Sequence, residues 1–299
     1  MSLTRQPVFI LAPARSYTTV SSALLAGHDE LFVFPEMVGF NGRVIAELLS
    51  AADGTGPHST YYSTQLSGVA RAVAEVEFGD QRPASIRRAH RWLSGRSSWS
   101  TAEVLGYLLH RVQPLIGVEK SPDTVRSDEA LSRCRTAYPG ARLLHLTRHP
   151  TSALRSLTTH FGALTARSDR QTAITAALTW YTAHRRIMGA TRTLPTRQVL
   201  RLRAEDLVGE PLRWLPVVLD WLGLPYDDEV LRRMIETDRW CFAGTGADHS
   251  LHGGDWKFLR SPALRPIATP GPVTFAAEWD LPVKMQRVMS ELAGELGYE

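Results

Sequence analysis

Lysine is scarce in this 299-residue sequence: of 34 Lys and Arg residues, only Lys120, Lys257 and Lys284 are lysine. Against so strong an arginine bias, each retained lysine is a candidate for chemistry. Cysteine is rarer still. Cys134 and Cys241 lie far apart, in neither metal-ligand nor redox spacing, which excludes a disulfide scaffold and fits the reducing cytoplasm. No apolar run is long enough to cross a bilayer, so no membrane partner is expected. The opening "MSLTRQPVFILAP" has too short an apolar core for a secretory signal and is expected to form a first strand. Internal repeats, low-complexity segments and basic runs interleaved with aromatics are all missing. With a formal net charge of only +4, a nucleic-acid partner is not expected. No His/Cys/Asp cluster has metal-ligand spacing, so no bound metal is expected.

What is present is alternation. Five β-rich runs, "VFILA" (8–12), "LFVF" (31–34), "LIGVE" (115–119), "RLLHL" (142–146) and "QVLRL" (198–202), are separated by long stretches of helical periodicity. In "STAEVLGYLLHRV", Ser100 caps a helix and Glu103 supplies the capping-box partner. The pattern predicts one α/β domain over residues 1–299, three layers deep (α/β/α), around a central parallel sheet. Residues 51–67 are expected to form a long polar loop that acts as a lid or substrate loop. A second long loop is expected over 242–273, followed by a closing helix near 281–296. The Trp-containing stretch at 211–225 repeats apolar residues at helical spacing and is assigned to the core.

Two motifs fall at strand ends, where open parallel sheets gather their ligands. "APARSYTTV", Ala12 to Val20, links the first strand to a helix and has the layout of a phosphate-cradling loop. It lacks the Gly and Lys of a nucleotide-triphosphate loop. Arg15 supplies a forked permanent charge, and Thr18 and Thr19 supply hydroxyl donors in the first helical turn. An ordinary β-to-α connection with a Thr cap is the plainer alternative. In "LTRHPTSALRSL", Arg148 ends a strand, Pro150 suits the first position of a helix, and Ser156 follows Arg148 by eight residues. Arg148 and Ser156 could grip one phosphate from two sides; a strand-end arginine in a salt bridge is the alternative.

Together these motifs resemble those of the sulfotransferases that use 3'-phosphoadenosine 5'-phosphosulfate (PAPS). The resemblance implies that Arg15, Ser16, Tyr17, Thr18 and Thr19 hold the 5'-phosphosulfate, and that Arg148 and Ser156 hold the 3'-phosphate. It also implies a P-loop-like sulfotransferase architecture. "RAEDL" (203–207) and "GGDWKF" (253–258) are similar to two later family stretches, and the matches run in family order along nearly the whole chain. Three positions depart from the pattern. Tyr17 stands where the family has glycine, and a bulky residue there disfavours positive φ. Ala204 replaces a tyrosine, and His249 to Leu251 replace a basic triplet, so Lys257, Arg260 and Arg265 become the cations expected to complete the nucleotide grip.

Sulfuryl transfer is an in-line displacement that needs cations on the moving group and a base for the acceptor hydroxyl. Lys120, matching a family lysine, is assigned to the bridging oxygen. Glu36, at the end of "LFVFPE", is the first candidate for the base and Glu119 the second. If the strand continued through both residues, Glu119 and Lys120 would face opposite sides. Among the scattered histidines, His249 and His252 are kept in reserve. The expected function is PAPS-dependent sulfation of a hydroxyl on a small-molecule or carrier-bound acceptor, in secondary metabolism. A nucleotide-dependent kinase and a non-catalytic nucleotide-binding module are the alternatives. The sequence sets neither the acceptor nor the oligomeric state.

Overall fold

The computed structural model describes residues 3–54, 59–163, 168–246 and 249–299. Among them, five strands form one sheet: Val8–Leu11 (β1), Leu31–Val33 (β2), Ile116–Glu119 (β3), Arg142–Thr147 (β4) and Val199–Arg203 (β5). Their order is β2-β3-β1-β4-β5, and every pairing is parallel, as in Val8↔Val118, Ile10↔Leu144 and Leu144↔Leu200. Each strand arises from one of the five short β-rich runs. β1 and β3 are buried along their whole length, as expected of strands covered on both faces.

The helices are Thr18–Leu25 (α1), Ile45–Asp53 (α2), Ser59–Phe78 (α3), Pro83–Ser94 (α4), Thr101–Arg111 (α5), Asp128–Ala137 (α6), Pro150–Gly162 (α7), Asp169–Thr191 (α8), Ala204–Gly209 (α9), Pro211–Leu222 (α10), Asp228–Met234 (α11), Trp256–Arg260 (α12) and Val283–Glu295 (α13). Strand alternation divides them into layers. Phe9, Leu11 and Leu143 face a core built with α3 to α6, while Val8, Ile10, Leu144 and Leu146 face one built with α1 and α9 to α11. A third cluster joins α7, α8 and α13 through Leu154, Leu157, Trp180 and Leu292. No helix among the described residues is long and apolar enough to cross a membrane.

The capping box of Ser100 and Glu103 forms at the start of α5, and Pro150 opens α7. The long polar loop expected over 51–67 is corrected. α2 runs through Asp53 and α3 begins at Ser59; residues 55–58 of that stretch lie outside the described residues. Burial explains the difference: Gln65, Leu66, Val69, Ala70 and Val73 are buried at helical spacing, so tertiary packing draws the hydroxyl-rich segment into the helix. The described residues of 242–273 are irregular apart from α12, and the expected closing helix is α13. Residues 247 and 248 of that loop lie outside the described residues.

Candidate active site

Because the chain crosses from one side of β1 to the other between β3 and β4, the carboxyl ends of β1, β3 and β4 frame a crevice. The β1–α1 loop enters it with two non-glycine residues in the left-handed region, Arg15 at φ +67° and Tyr17 at φ +57°. The glycine position thus keeps its left-handed backbone although a tyrosine occupies it, contrary to the sequence expectation. Such a conformation costs about 1–2 kcal/mol for a residue with a Cβ. Contacts offset that cost: the Arg148 guanidinium lies 4.1 Å from the centre of the Tyr17 ring, and Arg148 Nη2 donates to the Tyr17 hydroxyl at 3.2 Å.

Lys120 is the centre of the site. It is fully buried one residue past the end of β3, and its ammonium donates to Thr19 Oγ1 at 2.9 Å and to Glu36 Oε1 at 2.6 Å. Residues from the ends of β1, β2 and β3 therefore meet at one nitrogen. Thr19 Oγ1 also accepts from the Asp255 amide at 2.8 Å, tying in the C-terminal loop. That loop packs tightly. A Cβ on Gly254 would lie 2.9 Å from Thr19 Cγ2, and one on Gly68 would lie 2.2 Å from the Glu36 carbonyl oxygen. The Glu36 amide in turn donates to the Gly253 carbonyl at 2.9 Å.

Arg15 points along the crevice. Its Nη1 pairs with Asp255 Oδ2 at 2.6 Å and its Nε donates to Ser156 Oγ at 3.1 Å. Ser156 is thus brought to Arg15, and Arg148 reaches the same loop by a different route, donating from Nη1 to the Arg15 carbonyl. The backbone under Arg148 is fixed twice. Trp180 Nε1 donates to the Arg148 carbonyl at 2.9 Å, and the His149 amide donates to buried Glu205 at 2.9 Å, which also accepts from Tyr298. This gives "RAEDL" a positioning role. Two buried polar atoms in the cradle, Ser16 Oγ and Arg148 Nε, have no hydrogen-bond partner among the described residues.

The remaining sequence candidates stand further off. Glu119 ends β3 and turns away from Lys120: it accepts from the Met37 amide at 3.2 Å and from the Ser121 hydroxyl. Ser121 Oγ accepts from the Val38 amide at 2.8 Å, so Glu119 and Ser121 brace the segment that carries Glu36. The structure thus gives Glu119 a supporting place behind the base candidate, since consecutive side chains at a strand end diverge. Lys257 is exposed, and its amide donates to Asp255. His249 Nδ1 meets Thr245, and the His252 ring lies 4.9 Å from that of Trp256. Sequence reasoning missed Asp255, which sat unassigned in "GGDWKF". It also missed His160, one turn beyond Ser156 on α7, where burial and the Arg15 charge lower its pKa while Asp255 and Glu36 oppose that shift. A Tyr61–Asp123–Arg126 cluster also stands on the Glu36 side; Arg126 Nη1 donates to the Tyr61 hydroxyl at 2.9 Å. The i, i+4 spacing of Ser156 and His160 was the one available signal.

Burial pushes the Glu119 carboxyl up to about 7. Its folded pKa lies above the unfolded value of about 4.3, so its contribution to stability is complete below that value and is lost as pH rises through about 7. Glu119→Gln mimics the neutral form. The variant is expected to melt above the parent at pH 8.5 and to match it only below about pH 4, each pKa unit being worth about 1.4 kcal/mol. The measurement is the difference between the two melting curves at each pH, which cancels the buried His145–His184 pair. That pair, joined at 2.9 Å and held low by burial, contributes with the opposite sign under acid conditions.

Among the described residues, no group of three or more His, Cys, Asp and Glu side chains could hold a metal ion. Three solved structures share the fold. A sulfotransferase domain from the curacin biosynthetic pathway superimposes with a TM-score of 0.73 at 22% identity, covering 100% of this chain and 99% of that one. The sulfotransferase domain of the Synechococcus PCC 7002 olefin synthase gives 0.71 at 21% identity, covering 98% and 96%. A Mycobacterium avium sulfotransferase gives 0.57 at 15%, covering 100% and 78%. A comparison with curated proteins gave no match. The model of the sulfotransferase family matches residues 7–228, from β1 into α11, and with that match spanning most of its length the chain belongs to the sulfotransferase family.

Proposed function

We propose that the enzyme moves a sulfuryl group from PAPS to a hydroxyl acceptor, with Lys120 and Glu36 at the reacting centre. One observation carries this reading: the Lys120 ammonium touches both the anion loop, at Thr19, and a carboxylate, at Glu36. A cation and a base thus stand side by side, where an acceptor hydroxyl can meet both. The cradle fits a phosphosulfate, because buried Ser16 Oγ and Arg148 Nε are donors in need of an acceptor. When bound, PAPS supplies an activated sulfuryl group and leaves as adenosine 3',5'-bisphosphate.

In this reading, Arg15, Ser16, Thr18 and Thr19, with the loop amides, hold the phosphosulfate end. Arg148 and Ser156 serve the 3'-phosphate. Glu36 accepts the proton of the acceptor hydroxyl as its oxygen bonds to sulfur, and Lys120 stabilises the negative charge left on the bridging oxygen. Because two of the similar folds come from a curacin pathway and an olefin synthase, we propose a small-molecule or carrier-bound acceptor in secondary metabolism. We assign the enzyme to the cytoplasm, in keeping with its two free cysteines.

The deciding experiment pairs thermal shift with turnover. Adenosine 3',5'-bisphosphate should stabilise the protein more than ATP does, and PAPS should be consumed only in the presence of a hydroxyl acceptor. Stronger stabilisation by ATP with Mg²⁺ would move the reading to a kinase. Arg148→Ala should weaken binding of adenosine 3',5'-bisphosphate by about 2–3 kcal/mol, the scale of a lost charge-assisted contact, with the fold retained. Calorimetry against adenosine 5'-monophosphate, which lacks the 3'-phosphate, localises the loss.

A further inference from the structure

We infer that Tyr17 and Arg148 act as one composite site, in which Tyr17 is the positioning residue that gives the enzyme its preference for a nucleotide bearing a 3'-phosphate. The inference rests on the assignment of Arg148 to that phosphate. The tyrosine occupies the N-cap of α1 at φ +57° and makes no capping hydrogen bond with its side chain, so helix capping does not account for it. Its side chain is spent on Arg148 instead, with the ring 4.1 Å from the guanidinium carbon and the hydroxyl 3.2 Å from Nη2.

Three restraints then act on one guanidinium. The ring fixes its plane, the hydroxyl takes up Nη2, and the Arg15 carbonyl takes up Nη1. Nε is buried and has no acceptor among the described residues. An arginine held in this way loses little side-chain entropy when a phosphate arrives, which raises affinity through preorganisation. The tyrosine hydroxyl contributes directly as well. It accepts from Arg148 and so keeps its own proton free to donate to a phosphate oxygen beside that arginine. A glycine at position 17 would supply the backbone conformation and none of these restraints.

Isothermal titration with adenosine 3',5'-bisphosphate and adenosine 5'-monophosphate tests the inference in the parent, Tyr17→Phe, Tyr17→Leu, Tyr17→Gly, Arg148→Ala and the Arg148→Ala/Tyr17→Leu double variant. Tyr17→Leu and Tyr17→Gly should lower affinity for the bisphosphate by about 10-fold and leave the monophosphate within about twofold. Tyr17→Phe keeps the ring and should lose only about threefold. In the Arg148→Ala background, Tyr17→Leu should cost no more than the roughly threefold that belongs to its hydroxyl. Equal loss of both nucleotides in the Leu and Gly variants would mean that Tyr17 shapes the loop as a whole, and would overturn the inference. Unchanged affinities in both variants would overturn it too. If Arg148→Ala itself leaves the preference for the bisphosphate intact, the assignment of the 3'-phosphate to Arg148 fails, an outcome separate from the behaviour of Tyr17.

Discussion

Glu36→Gln is expected to lower kcat by about 10²–10⁴ and to leave affinity for adenosine 3',5'-bisphosphate within about twofold. Glutamine keeps the shape of the side chain and an amide oxygen able to accept from Lys120 Nζ, so the 2.6 Å contact need not be lost. Only the capacity to take a proton is removed. A group that acts on the acceptor hydroxyl matters to the chemical step and little to nucleotide binding, which is why the two measurements should separate. The contrast with Glu119 sharpens the test. Glu119 is buried behind the Met37–Val38 segment and hydrogen-bonded to Ser121, while the Lys120 ammonium is directed to Thr19 and Glu36. Glu119→Gln should therefore retain turnover and change stability alone. A Glu36→Gln enzyme with near-full turnover would reassign the base. His160 would then be the next candidate, and the pH–rate profile should break on the acid side of neutrality, following its lowered pKa.

The fold was legible because its central strands β1, β3 and β4 are short, largely apolar and buried, a pattern that survives without tertiary information. The β1–α1 loop and Arg148 were legible for the same reason, since each directly follows such a strand. α3 was not. Its first turn carries Ser, Thr and Tyr with no apolar period, and the helix declares itself only from Gln65 onward, where the side chains meet the core. Nor could sequence show that Ser156 faces Arg15, or that Asp255 stands against the same guanidinium. Those partners lie 141 and 240 positions from Arg15, and only the packing of α7 and of the C-terminal loop over the sheet brings them together. Arg71 illustrates the same limit. It is an unremarkable arginine in the sequence, yet it is buried and donates to the Phe242 and His252 carbonyls, anchoring that loop from α3.

Lys120→Met should lower kcat by about 10²–10³, the usual effect of removing one preorganised donor from developing charge. Methionine keeps most of the buried stem and its packing while deleting the ammonium. The side chain of Glu36 is 25% exposed, so water can replace the lost cation there and the fold should survive. The nucleotide data should distinguish this variant from Glu36→Gln. With Lys120 assigned to the bridging oxygen, the lysine serves an atom that stays with the product's 5'-phosphate. Adenosine 3',5'-bisphosphate should therefore bind Lys120→Met about 10-fold more weakly, a loss of about 1.4 kcal/mol. Glu36→Gln should show no such loss. If Lys120→Met binds the bisphosphate as the parent does while kcat still collapses, the lysine serves Glu36 and not the leaving oxygen. Its contact with Thr19 would then be a structural tie between the anion loop and β3.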